Sequence, residues 1–157
     1  MTIEDDIAVL ERVPILRALG GGALRNLAIA AEARSLLAGE VLFKAGEASD
    51  GAYVLQRGSF NLRPERGTAE EIVAEPGTLF GEAALFTRTK RPATATAREP
   101  SAVLRIPRAA FLKVLDSYPE AAKRLRDLIT SRADQWAREM QNVRAALARG
   151  NVPRGEG

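Results

Sequence analysis

Apolar positions along the chain repeat with two different periods, and the period changes near residue 32 and again near residue 107. Ile3, Ile7 and Leu10 stand at helical spacing and predict a short opening helix. Val13-Pro14-Ile15-Leu16 interrupts it. Leu16 with Leu19 reads as one helical turn ended by Gly20-Gly21-Gly22, and Leu24, Leu27, Ala28 and Ala31 mark the apolar face of a second short helix. From Glu32 the signal becomes one of short strands separated by glycines. Ala38-Gly39-Glu40 and Ala45-Gly46-Glu47 are the same tripeptide seven residues apart, bracketing the strand Val41-Leu42-Phe43-Lys44. Glycine at both corners suits sharp bends between two sheets. Ser49-Asp50-Gly51 is a turn, Ala52 to Arg63 reads as two strand segments hinged at Gly58, and Pro64 to Thr68 as a hairpin tip. Glu71 to Ala74 returns, and Glu75-Pro76-Gly77 turns again. Strands broken this often predict an antiparallel barrel or sandwich.

The third region is helical. Ala102, Leu104 and Ile106 alternate along a last strand, Pro107 opens a helix, and Phe111, Leu112 and Leu115 form its buried stripe. Ser117-Tyr118-Pro119 ends that helix and starts another, running from Glu120 to Gly150. Leu125, Ile129, Arg132, Trp136, Met140, Val143 and Leu147 share one stripe on it. Leu125, Trp136 and Leu147 lie eleven residues apart, a period that suits nearly straight or slightly right-handed helix packing. A helix of about thirty residues is roughly 45 Å long, more than a small barrel can cover, so a homodimer through residues 119–149 is expected. Arg132 weakens that seam.

Composition narrows the chemistry. At 157 residues the chain suits one core; 46% apolar and 27% charged residues are those of a globular protein. No apolar run approaches the roughly 20 residues of a membrane span. The acidic start Thr2-Ile3-Glu4-Asp5-Asp6 is unlike a secretory signal, so a cytoplasmic address is expected. With no Cys and no His, disulfides, thiolate chemistry and Cys- or His-built metal sites drop out, and no metal site or cofactor is expected. The net charge of +3 lies on one segment, because residues 119–149 carry seven Lys/Arg against four Asp/Glu and the rest carries sixteen of each. Interspersed signs on a helix read as a solvated face or, alternatively, a nucleic-acid contact.

The stretch with chemistry is 79–97. Phe80-Gly81-Glu82 precedes a one-turn apolar run, Ala83 to Phe86; a basic loop ends at Arg91; and Ala93-Thr94-Ala95-Thr96-Ala97 resumes as a strand of small residues. Gly81 lets backbone approach a ligand. The amides of Ala83 and Ala84 sit at a helix start, where N–H groups lack internal partners. Arg91 can clamp an anion with two charge-assisted hydrogen bonds. Glu82 beside an anion makes sense if it accepts a hydroxyl proton, so the ligand carries both a phosphate and a ribose-like hydroxyl.

Phe80-Gly81-Glu82-Ala83-Ala84-Leu85 and Arg91-Pro92-Ala93-Thr94 resemble the phosphate-binding cassette of cyclic nucleotide-binding domains. Tyr53 to Phe60, with Gly58, resembles two further strands of that family, and the likeness spans about residues 12 to 145. One position departs: the family's donor after the arginine is here Pro92, which has no N–H. The resemblance implies an α+β, mainly β fold, an eight-stranded antiparallel β-roll (a jelly-roll-like double-stranded β-helix) with N-terminal helices and a long C-terminal helix. The implied divisions are 1–31 helical, 32–106 roll with the cassette at 79–97, 107–149 helical, and 150–157 a tail. The ligand it implies is cAMP, or else cGMP, bound by Phe80, Gly81, Glu82, Ala83, Ala84, Arg91, Pro92 and Ala93. The base would lie near Ile72 and Ala74 under a lid of Arg126, Ile129 and Thr130. The implied role is a non-catalytic sensor acting on a downstream protein, without direct DNA or membrane binding, since the tail after the long helix has no room for a DNA-reading domain. Two alternatives stand beside it: a degenerate roll serving as a ligand-independent interaction module, and an accessory transcription regulator using the basic helix.

Overall fold

The computed structural model describes residues 2–64 and 71–148; the hairpin tip beyond Pro64 and the tail expected from residue 150 lie outside them. Three helices come first, α1 (Ile3–Leu10), α2 (Pro14–Arg17) and α3 (Gly21–Ala30). Thr2 and Asp5 cap the start of α1 reciprocally, each side chain accepting from the other's backbone N–H. Gly20 precedes α3, and Gly21 and Gly22 form its first turn. The triple glycine therefore starts a helix as well as ending one, a role that its composition conceals.

Eight strands follow: β1 (Glu32–Leu36), β2 (Val41–Phe43), β3 (Gly51–Arg57), β4 (Phe60–Pro64), β5 (Ile72–Ala74), β6 (Leu79–Phe80), β7 (Ala93–Ala97) and β8 (Ser101–Pro107). They form two antiparallel four-stranded sheets, ordered β1-β8-β3-β6 and β2-β7-β4-β5, between which the chain repeatedly crosses. Helices α4 (Arg108–Ser117) and α5 (Pro119–Ala148) complete the molecule.

The first sheet is buried on both faces, which splits the core in two. Tyr53, Leu55, Phe60, Phe80, Ala95, Ala97 and Val103 pack between the sheets. Ala52, Val54, Leu104 and Ile106 point the other way, against Leu10, Leu16, Leu27, Phe111 and Leu125 of the helices. Each large side chain buried this way contributes about 1.5–3 kcal/mol. The alternation Ala102, Leu104, Ile106 thus marks the helix-facing side of β8, not the roll interior. Two expectations for α4 shift accordingly. Pro107 is the last residue of β8 and caps the helix from outside. Phe111 and Val114 form the buried stripe, whereas Leu112 is 43% exposed, because α4 lies on the sheet by its 111–114–118 side.

The long helix has its own anchor. Arg124 donates from Nε to the Ala18 carbonyl at 3.0 Å and from Nη2 to that of Leu19 at 2.6 Å, satisfying carbonyls left open at the end of α2. Ala121 and Leu125 are buried, and Leu128 is the last residue of α5 packed on the core.

Candidate functional site

The repeated Ala-Gly-Glu tripeptide explains how the site is held. Gly39 and Gly46 share the same left-handed φ of 87°, a conformation that glycine adopts without a Cβ penalty. Gly39 N–H donates to Ala97 O at 2.7 Å and Ala97 N–H to Glu40 O at 2.9 Å. The second turn does the same one strand-length earlier: Gly46 N–H to Arg91 O and Arg91 N–H to Glu47 O, both at 2.8 Å. Segment 91–97 is clasped at both ends by copies of one turn. Arg91 therefore has a fixed backbone, although a proline follows it.

Its side chain is equally constrained. Arg91 is 5% exposed; it is a buried residue, not the surface charge that a basic loop suggests. The guanidinium stacks over the ring of Phe43, 4.5 Å from its centroid, and lies 5.5 Å from that of Tyr53, a cation–π arrangement. Nη1 of Arg91 has no hydrogen-bond partner among the described residues. Burial depresses the Arg91 pKa, the carboxylates of Asp50 and Glu47 opposing the shift. A buried cation with an unused donor is costly, and an anion placed on Nη1 would offset that cost.

Gly81 faces that nitrogen. Its φ of 80° is left-handed, and a Cβ there would collide with Nη1 of Arg91. The torsion favours glycine, and any side chain here would also displace the end of Arg91. The residues after it, Glu82–Leu85, form a 3-10 turn whose first bond is Ala84 N–H to Gly81 O at 2.9 Å. The Ala84 amide is thus occupied, contrary to the expectation that it is free. Among the described residues Glu82 and Ala83 donate no backbone hydrogen bond to a turn, loop or cap carbonyl, so the open pair is one residue earlier. Glu82 is exposed, with its Oε1 3.6 Å from Nη1 of Arg132 on α5.

The turn is also wired to the helices. Leu85 is fully buried in the helix-side core, and Phe86 meets Phe111 of α4 edge-on at 5.4 Å. Arg108, the first residue of α4, donates from Nε to Ala84 O at 2.7 Å and from Nη2 to Ser49 O.

The other expected residues divide. Phe80 is 3% exposed and packs edge-on against Phe60 at 5.4 Å, so it forms the floor beneath the site. Pro92 is exposed and Ala93 half-buried, in register with Pro64. Ile72, Leu62, Ala95 and Phe43 stand in one register row across the second sheet, the row that ends under the Arg91 guanidinium. Ile72 is 60% exposed at the open edge of that row, while Ala74 is buried opposite Phe60. On α5, Ile129 lies about 60° around the helix from Arg132, and Arg126 and Thr130 lie about 120° and 160° away, at 3.6 residues per turn. The residue of α5 that meets the cassette is Arg132. Sequence reading missed Phe43, Tyr53, Gly46 and Arg132; only the repeated tripeptide carried a signal for any of them.

Among the described residues the arrangement offers a buried cation with an open donor, two amides without a backbone partner and a carboxylate. Among the described residues no cluster of three or more acidic side chains could hold a metal, and no helix is long and apolar enough to cross a membrane. Fold and site define a class of module: a two-sheet roll with flanking helices, in which a glycine-initiated turn stands beside a buried arginine.

The chain belongs to the cyclic nucleotide-binding domain family, whose model matches residues 33–118. It is 36% identical over 88 residues to the cAMP-dependent protein kinase type II regulatory subunit of Drosophila melanogaster, covering 55% of this chain and 23% of that protein. The curated relatives are longer; the matches span 23% to 31% of their length. Among solved structures, a cyclic nucleotide-binding-like protein from Brucella abortus is 35% identical with a TM-score of 0.64, covering 71% of this chain and 98% of that one. The N-terminal domain of a transcriptional regulator from Streptomyces coelicolor is 28% identical with a TM-score of 0.76, covering 84% and 94%. The family match ends at Tyr118, before α5.

Proposed function

We propose that this chain binds a cyclic purine nucleotide, cAMP in preference to cGMP, and works as a non-catalytic sensor that signals through its C-terminal helix. The observation that carries the reading is Arg91, a 5% exposed residue whose Nη1 has no hydrogen-bond partner among the described residues and fits where Gly81 lacks a Cβ. A cyclic phosphate supplies the missing acceptors in the geometry that a guanidinium favours. The amides of Glu82 and Ala83 face the same anion, and the Glu82 carboxylate accepts from a ribose hydroxyl. The base lies along the row of Ala95, Leu62 and Ile72, with Ile129 of α5 above it. Leu85 and Phe86 pass movement of the 3-10 turn to α4, and α5 carries it to a partner protein. Preference for adenine rests on Pro92, which has no hydroxyl oxygen to accept from a guanine amino group.

A second reading has one observation in its favour. Pro92 removes a phosphate donor, so the roll would serve as a ligand-independent interaction module. Calorimetric titration of the purified chain with cAMP, cGMP and a cyclic dinucleotide separates the two. The sensor reading expects saturable binding, tightest for cAMP. Tenfold tighter cGMP binding overturns the preference, and no saturable heat with any of the three favours the interaction module.

A further inference from the structure

Arg132 is the feature of the site that neither motif nor family match supplies. Its Nη1 stands 3.6 Å from Oε1 of Glu82, joining α5 to the cassette between two half-exposed side chains. Among the described residues it is the one ion pair or hydrogen bond between α5 and the β-roll. The separation makes it a charge contact and not a hydrogen bond, so both carboxylate oxygens keep lone pairs for a ligand hydroxyl. We infer that Arg132 is a positioning residue for the nucleotide site: it holds the Glu82 carboxylate at the mouth, offsets its repulsion of the incoming phosphate, and ties the outer half of α5 to the cassette.

Two features support this. Arg132 comes one turn after Leu128, the last residue of α5 packed on the core, so its pair with Glu82 is the outermost attachment of that helix. A carboxylate beside an anion site repels the ligand unless a cation sits within a few ångströms, and Arg132 is the cation the structure places next to Glu82. The inference rests on reading Arg91 and Glu82 as the nucleotide site. It extends that reading by making the state of Glu82 felt along α5.

The chain's single tryptophan reports the tether, since Trp136 lies four residues beyond Arg132 and is 66% exposed. In the ligand-free full chain at submicromolar concentration, below that at which pairing through Trp136 is expected, Arg132→Gln and Glu82→Gln should each lower the Trp136 fluorescence anisotropy. The double variant should change it no further, and Arg132→Lys should restore most of it, with circular dichroism checking that each variant folds. In a cAMP titration, Arg132→Gln should weaken binding by about two- to fivefold, the range an exposed ion pair supports, and should have no effect in a Glu82→Gln background. Unchanged anisotropy in both single variants overturns the tether. An equal loss of affinity in the two backgrounds overturns the positioning role. Failure of the wild-type chain to bind cAMP refutes the nucleotide reading and the positioning role with it, while the ligand-free comparison still decides the tether.

Discussion

Arg91 is a buried cation held at a structural cost. Burial lowers its pKa and leaves Nη1 without a partner, while stacking on Phe43 returns only part of that loss. Arg91→Leu should therefore stabilise the ligand-free fold by about 1 kcal/mol, the balance of an unmade hydrogen bond against a lost cation–π contact. In a chain of this size that raises Tm by roughly 2–4 °C, and a thermal melt showing a lower Tm would mean that the guanidinium is part of the core's stability. Pro92 is exposed and its neighbour's backbone is already clasped by Gly46 and Glu47. Pro92→Ser should thus restore an N–H donor without moving the site. The gain of a charged hydrogen bond, about 1.5–3 kcal/mol, exceeds the lost stiffening of about 0.4–1 kcal/mol, so cAMP binding should tighten roughly tenfold. Weaker binding by the serine variant in a competition assay would place the phosphate away from the residue after Arg91.

At the scale of elements, the two Ala-Gly-Glu turns make a controlled comparison. Both glycines sit at φ 87°, so Gly39→Ala and Gly46→Ala should each lose about 1–2 kcal/mol of stability through left-handed strain. Only the second turn bonds to Arg91, so Gly46→Ala should weaken cAMP binding severalfold more than Gly39→Ala does. Melting curves and titrations on the pair check this, and equal effects on affinity would separate the turn from the site. The turns were legible in the sequence as a repeat, and the strands as short runs between glycines. The direction of the strand faces was not legible. Ala52-Tyr53-Val54-Leu55 and Ala102-Val103-Leu104 are apolar on both sides because one sheet is covered by the other sheet and by the helices. A strand buried on both faces loses its alternation. On α4 the run Phe111-Leu112 offers two apolar neighbours to one core, and only the docking side of the helix decides that Val114 is buried and Leu112 exposed. Of the site, Gly81, Glu82 and Arg91 were legible as a motif. The cradle of Phe43 and Tyr53, the burial of Arg91 and the Glu82–Arg132 pair depend on distant segments brought together, which no local spacing records.

For the whole molecule, α5 is the element whose surface is least accounted for. Beyond Leu128 its apolar stripe faces outward: Ile129 is 40% exposed, Trp136 66%, Val143 41% and Leu147 50%. A helix of about 45 Å with such a stripe is expected to pair with a second copy, giving a dimer at tens of micromolar by light scattering, and Trp136→Glu should shift it to monomer. A monomeric wild-type chain would leave the stripe to another partner. Ile129 and Arg132 belong both to this stripe and to the side of the proposed site, whereas Arg91, Gly81 and Glu82 are brought together within one chain.

The central claim is that a buried, unpartnered guanidinium awaits a cyclic phosphate. It is tested most directly by isothermal calorimetry of cAMP against the wild-type chain and Arg91→Leu side by side. The expected result is saturable binding by the wild type and none by a variant that melts at the same or a higher temperature. Equal affinity in the two proteins would contradict the claim, because the anion would then be held without the one group the fold has buried for it.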